Sequence, residues 1–175
     1  VLPVGPYSQD RDAGKGYNAG GFARGYKLHA ITRNNGQIAA WRVEPLNVCE
    51  KQVADELIVE AQPRGLLLAD GKYEAGRLYD LAMAGSALLM TPFKKNAGGG
   101  HRRPSPIRQL SIRAWNAGGR NLYPLRSDIE RRFSQLSSFG GGLAPLPPWV
   151  RGLHRVTQWV GTKLMIYHVR LMLRE

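Results

Sequence analysis

The chain has one cysteine, Cys49, among 175 residues. A single thiol forms no internal disulfide, and with four scattered histidines it makes no zinc-ligand spacing. The fold is therefore expected to rest on an apolar core formed in a reducing compartment, the cytoplasm. Long apolar runs are also missing. The longest, Trp159 to Leu173, is broken by Lys163, His168 and Arg170, short of the roughly 20 residues that span a bilayer, so no membrane partner is expected. The opening VLPVGPYSQD has neither a basic leader nor an apolar core, which argues against a secretory signal. The triple glycine at 98–100 lacks the GK[ST] of a phosphate loop, which sets aside a nucleotide site. Acidic residues are few, 13 against 25 Lys plus Arg, for a formal net charge of +12.

With 43% hydrophobic residues the chain carries enough apolar side chains to fold, and its length suits one domain over 1–175. The charge is unevenly placed. Up to Met90 there are 10 basic and 10 acidic residues; beyond it there are 15 basic and 3 acidic. Between Asp80 and Asp128 no acidic residue occurs, while Lys94, Lys95, Arg102, Arg103, Arg108, Arg113, Arg120 and Arg126 all do. Such a block predicts a polyanionic partner, first of all nucleic acid, because basic side chains release condensed counterions when they meet phosphates.

Residues 1–5 read as the tail of a strand, and the next fifteen, rich in Gly, Ser, Asp and Asn, as an exposed loop. Phe22–Thr32 and Gln37–Glu44 flank Asn34-Asn35-Gly36 and predict a β-hairpin. Asn47, with Glu50 three residues on, predicts a capped helix whose inner side carries Val53, Ala54, Leu57, Ile58 and Ala61 and which stops at Pro63 and Gly65. Gly65–Asp70 predicts a strand buried on both faces that delivers Asp70 at the sheet edge. A helix over 74–84, with Leu78, Leu81 and Ala82 inward, and a buried strand over 87–90 complete a βαβ unit. Residues 91–119 read as a basic, Gly-rich loop in need of an anion, with helical potential at 107–114. Arg126–Phe139 predicts a helix with Ile129, Phe133 and Leu136 inward, broken by the glycines and prolines after it. The last helix is expected to bury Val150, Leu153, Val160, Leu164, Tyr167 and Leu171, with Arg151, Arg155, Gln158 and Thr162 on another face.

Asp128 and Glu130 stand out because acids are so scarce in this half. Asp128 suits the first turn of a helix, and Arg126 sits one turn ahead of Glu130. Asp70 and Glu130 are two carboxylates of the kind that hold a hard divalent cation. Lys27 and His29 share one side of a hairpin strand, where a half-buried, hydrogen-bonded histidine is the plainer expectation. Cys49 has no evident base and reads as structural. The four tryptophans read mostly as core, with Trp115 placed where it can stack on an exposed base.

Four segments together resemble one family. They are Gly25-Tyr-Lys-Leu-His29 with its Asn-Asn-Gly turn, Leu67-Leu-Ala-Asp70-Gly-Lys-Tyr73, Tyr123-Pro-Leu-Arg126-Ser-Asp-Ile-Glu130-Arg-Arg-Phe, and the closing helix from Trp149 through Trp159. The chain resembles the catalytic core of bacterial insertion-sequence transposases of the DDE class, and its third segment fits that family's Y-x-x-R-x-x-x-E signature. The resemblance implies an α/β, ribonuclease H-like mixed sheet flanked by helices, with the first strand partly missing and a long C-terminal helix. It implies DNA as partner, both transposon ends and target, with a homodimer on it, and a bacterial, nucleoid-associated location. For a complete form it implies nicking and strand transfer with two Mg²⁺ or Mn²⁺ ions, and for the chain as given, without the first acid, an inactive form.

Position by position, Asp70 would be the second acid of the triad and Glu130 the third, both as metal ligands. Tyr123 and Arg126 would lie near the scissile phosphate, with Arg131, Arg132, Lys94, Lys95, Arg102 and Arg103 as further DNA contacts. Two positions depart from the pattern. Ser137 stands where the family has a lysine seven residues after the glutamate. The first aspartate is expected just ahead of the segment at Leu2, so the chain reads as an N-terminally truncated piece. Asp10 and Asp12, the nearest carboxylates, lie in the loop beyond that strand. A DNA- or RNA-binding domain that does not cleave, or a remnant, stays open beside the enzyme.

Overall fold

The computed structural model describes residues 1–5, 7–18, 21–93, 105–138 and 142–173. Its strands are β1 (Leu2–Pro3), β2 (Gly14–Asn18), β3 (Gly21–Thr32), β4 (Ile38–Pro45), β5 (Gly65–Leu68) and β6 (Ala87–Met90). Its helices are α1 (Glu50–Ala61), α2 (Gly76–Ala84), α3 (Pro106–Asn116), α4 (Asp128–Ser138) and α5 (Leu153–Met172), with 3₁₀ segments at Gly71–Tyr73 and Gly119–Ser127. This is the mixed α/β class expected, with its antiparallel strands in one sheet and its parallel pair in a second. The residues form two compact units, Val1–Cys49 with Ile129–Glu175, and Glu50–Asp128.

In the first unit β3 is the central strand. It pairs antiparallel with β1, with β2 along 21–25 and with β4 along 26–32. The predicted hairpin is present, and Gly36, at φ 90°, supplies the left-handed residue its turn needs. The end of α5 ties that turn down: the Tyr167 hydroxyl donates to the Gly36 carbonyl at 2.9 Å, and the Ile38 amide donates to His168 Nε2 at 3.0 Å. Leu2, Tyr26, Val43, Leu136, Val156, Val160, Leu164 and Tyr167 are part of the core. Gly161 lets α5 approach β4, since a Cβ there would lie 3.3 Å from the Trp41 ring.

Several expectations for this unit need correction. Residues 14–18 form a strand, because Gly14 and Gly16 leave room for the backbone of Leu46 and Asn47 beside them. The last helix starts at Leu153, with Val150 buried ahead of it, and its inner stripe takes in Val156 and Lys163 while Leu171 is only half-buried. Lys163 sits inside because its ammonium lies 4.6 Å from the centre of the Trp159 ring, where the ring face partly replaces water. His29 is buried rather than half-buried.

The second unit holds the βαβ element. β5 and β6 pair in parallel from Gly65↔Ala87 to Leu68↔Met90, with α2 as the crossover. α1 buries the five residues its spacing marks, although it begins at Glu50 rather than at an Asn47 cap. α2 begins at Gly76 rather than residue 74, and Tyr79 is buried where Leu81 is only half-buried. Strand β5 is not buried on both faces: Gly65 and Leu66 are exposed and Leu67 and Leu68 half-buried, since among the described residues β5 has only β6 beside it.

Candidate functional site

Asp70 lies two residues past the end of β5 and opens the 3₁₀ turn at Gly71–Tyr73. Its Oδ1 accepts the Lys72 amide at 2.9 Å, an N-cap that fixes the side chain just beyond the strand. Tyr73 lies within the field of this carboxylate. Burial, then Glu50 and Asp70, push its phenol up to about 12. The strand expected over Gly65–Asp70 ends at Leu68, and Asp70 serves instead as the side-chain acceptor of the turn that follows.

The Tyr123 and Arg126 pair sits in the 3₁₀ segment Gly119–Ser127, and Glu130 in the first turn of α4, so the signature crosses a change of helix type instead of lying in one helix from Arg126. Pro124 inside that segment accounts for the change, because it has no amide to donate and its ring disfavours continuous α-helix. Gly119 is buried against β6, where a Cβ would strike Met90 Cε.

A row of rings then seats Tyr123. Phe93 meets Trp115 edge-on at 5.7 Å, Trp115 meets Tyr123 edge-on at 5.1 Å, and the Arg126 guanidinium lies 5.7 Å from the centre of the Tyr123 ring. Such edge-to-face pairs contribute roughly 0.5–1.5 kcal/mol each beyond area burial. Trp115 is half-buried in this row. The structure brings together Tyr123, Arg126 and Trp115.

Part of the basic block is spent internally. Arg108 Nε donates to Glu74 Oε1 at 3.1 Å, a second nitrogen of the same guanidinium reaches the same oxygen, and both side chains are largely buried. Ser105 caps α3 by accepting the amides of Ile107 and Arg108, and its hydroxyl donates to Asp80. Neither acid was singled out from sequence. The signal was available, since Glu74 and Asp80 are the last two acids before the block.

On α4, Glu130 and Arg131 are exposed and Arg132 is half-buried. The Arg132 guanidinium lies against Gly36 of the hairpin turn, where a Cβ would come within 2.8 Å of its Cζ. Ser137 is exposed. Lys94, Lys95, Arg102 and Arg103, with the triple glycine, lie outside the described residues, as does Phe139, where the helix begun at Arg126 was expected to end.

Asp10 and Asp12 hold the start of α5. Asp10 Oδ2 accepts the Tyr26 hydroxyl at 2.8 Å and the Gly152 amide at 3.0 Å, and Asp12 Oδ2 accepts the Leu153 amide at 2.8 Å. The two carboxylates thus cap α5 from a distant loop, at the end where the helix dipole favours negative charge. Arg24 holds that loop by donating to the carbonyls of Ser8, Asp10 and Ala13. Burial alone would raise the Asp10 carboxyl, but the Gly152, Tyr26 and Asp12 donors and the Arg151 charge outweigh it, and its pKa falls below the ordinary value. Cys49 is exposed, and Trp149 is exposed while the other tryptophans are half-buried. Among the described residues no three His, Cys, Asp or Glu side chains gather as a metal site, and no helix is long and apolar enough to cross a membrane.

The sequence matches the family described as Transposase DDE domain over residues 3–168, a span that runs through both units. Neither the curated proteins nor the solved structures give a match.

Proposed function

Because the chain belongs to the Transposase DDE domain family, we propose that it is a transposase catalytic core that binds transposon-end and target DNA and nicks and joins it with divalent metal. What supports the reading is the signature of Tyr123, Arg126 and Glu130, with the cation of Arg126 stacked on a ring that Trp115 seats. In this reading 1–175 is one catalytic domain. It works as a homodimer on DNA, in the cytoplasm of a bacterium and on its nucleoid.

Asp70 and Glu130 carry the acid roles. Both are exposed carboxylates, the donors that Mg²⁺ or Mn²⁺ takes. Bound there, a pair of such ions supplies activation of an attacking hydroxyl and stabilisation of the leaving oxygen. The protein's own part is to hold the phosphodiester: Arg126 places a planar cation beside it, and Arg131, Arg132, Lys94, Lys95, Arg102 and Arg103 neutralise flanking phosphates.

The test uses the 175-residue chain and the whole protein its gene encodes, incubated with end-containing DNA and Mg²⁺ or Mn²⁺. Asp70→Ala and Glu130→Ala are expected to reduce nicking at least about a hundredfold, the scale of a lost metal ligand, and to leave DNA binding nearly intact. Undiminished nicking by both variants ends the reading. A second reading, binding without cleavage, keeps the basic residues and the Tyr123–Arg126 pair as the DNA contact and gives Asp70 and Glu130 no metal. Under it neither variant has a metal phenotype.

A further inference from the structure

The hairpin of β2 and β3 carries two aromatic rings that the fold does not use. Tyr17 and Phe22 stand directly opposite each other in register, 79% and 63% exposed, with ring centres 5.3 Å apart and planes at 70°. A cross-strand aromatic pair steadies a hairpin by roughly 0.2–1 kcal/mol, yet both rings keep most of their surface in water. Their neighbours on the same face are cationic. Lys15 and Arg24, two residues inward on each strand, form the next opposed pair, and Lys15 is exposed. The opposite face of β2 is Gly14 and Gly16, pressed on Leu46 and Asn47, so the ring-bearing face is the one turned outward. Arg24, anchored to the carbonyls of Ser8, Asp10 and Ala13, fixes the hairpin to a loop that α5 in turn holds. The result is a two-stranded ribbon that carries an aromatic pair with positive charge beside it.

We propose that Tyr17 and Phe22 form a stacking site for an unpaired base of DNA, with Lys15 on the adjoining phosphate. Every base offers a π-face, so such a site takes single-stranded or frayed DNA with little sequence preference. An apolar protein partner fits less well, because the patch is two rings wide and is bordered by cations. This inference rests on the chain being a DNA-binding protein, and the test separates the two.

The protein is titrated with a fully paired duplex and with the same duplex carrying two unpaired bases at one end, one of them 2-aminopurine. The expected result is tighter binding to the frayed form with quenching of the 2-aminopurine. In Tyr17→Val/Phe22→Val, which keeps β-forming residues on both strands, frayed-end affinity is expected to fall about tenfold, the scale of one lost stack. Duplex affinity stays as it was, and Tyr17→Phe retains the preference. As a check that needs no variant, 5-iododeoxyuridine at the unpaired position is expected to photocrosslink to Tyr17 or Phe22. The proposal falls if the double variant holds frayed DNA as tightly as the parent, if it loses frayed and paired DNA equally, or if crosslinks map only elsewhere. A change of oligomeric state in the double variant would assign the rings to a protein interface and overturn it too. Binding to neither DNA overturns it together with the DNA-binding reading.

Discussion

Asp10 is a loop residue whose effect is felt at a helix 142 positions away. Asp10→Ala would leave the Gly152 amide and the buried Tyr26 hydroxyl without their acceptor, a loss of about 2–3 kcal/mol. The pH dependence follows from the direction of its shift. A carboxyl whose folded pKa lies below its ordinary 3.8 stabilises the fold above that value, and the contribution is lost as pH falls through the folded pKa. His168 acts in the same sense at higher pH. Burial lowers its pKa from 6.5, and its Nε2 must stay unprotonated to accept the Ile38 amide. Stability is therefore expected to decline in two stages on acidification, first below about 6.5 and again below about 4. Urea titrations across pH would show it, with the first stage absent in His168→Gln and the second in Asp10→Ala. A single stage common to all three proteins would contradict this account.

The 3₁₀ segment Gly119–Ser127 is the element on which the candidate site depends. Its hold on β6 is Gly119 against Met90, and its hold on α3 is the Trp115 and Tyr123 contact. Trp115→Ala is expected to unseat Tyr123 and with it Arg126, weakening DNA binding while hydrogen exchange rises in 119–127 before it rises in β5 or β6. Trp115→Phe, which keeps an edge for Tyr123 to meet, should restore most of the affinity. If Trp115→Ala loosens the whole second unit at once, Trp115 is a core residue and no more. The segment also illustrates the limit of periodicity. Arg126 and Glu130 are correctly spaced for one helix, but Pro124 imposes a tighter turn ahead of Asp128, and only hydrogen-bond geometry decides where one type gives way to the other.

For the molecule as a whole, net charge of +12 predicts DNA affinity that falls linearly in log–log form with salt, by about 0.9 in slope per phosphate neutralised. The individual cations are not equal. Arg126→Ala should lower that slope by about one. Arg108→Ala should leave it unchanged and instead destabilise the fold, since its guanidinium is committed to a buried Glu74. Equal slopes for both variants would mean that the buried pair opens on DNA. Charge asymmetry was legible as a property of the chain's second half, but not which arginines of the block face outward.

Sequence alone carried the family, the α/β class, the β3–β4 hairpin, the buried side of α1 and the parallel β5–β6 pair. All of these depend on local spacing, turn chemistry or a short motif, and each is encoded within a few consecutive residues. The use of Asp10 and Asp12 as caps for α5, the pairing of Glu74 with Arg108, the ring row through Trp115 and the strand at Gly14–Asn18 depend on partners distant in the chain. Whether a carboxylate caps a helix or waits for a metal, and whether an arginine meets a phosphate or a buried glutamate, is decided by which neighbour desolvates it, and that neighbour exists only once the chain has folded.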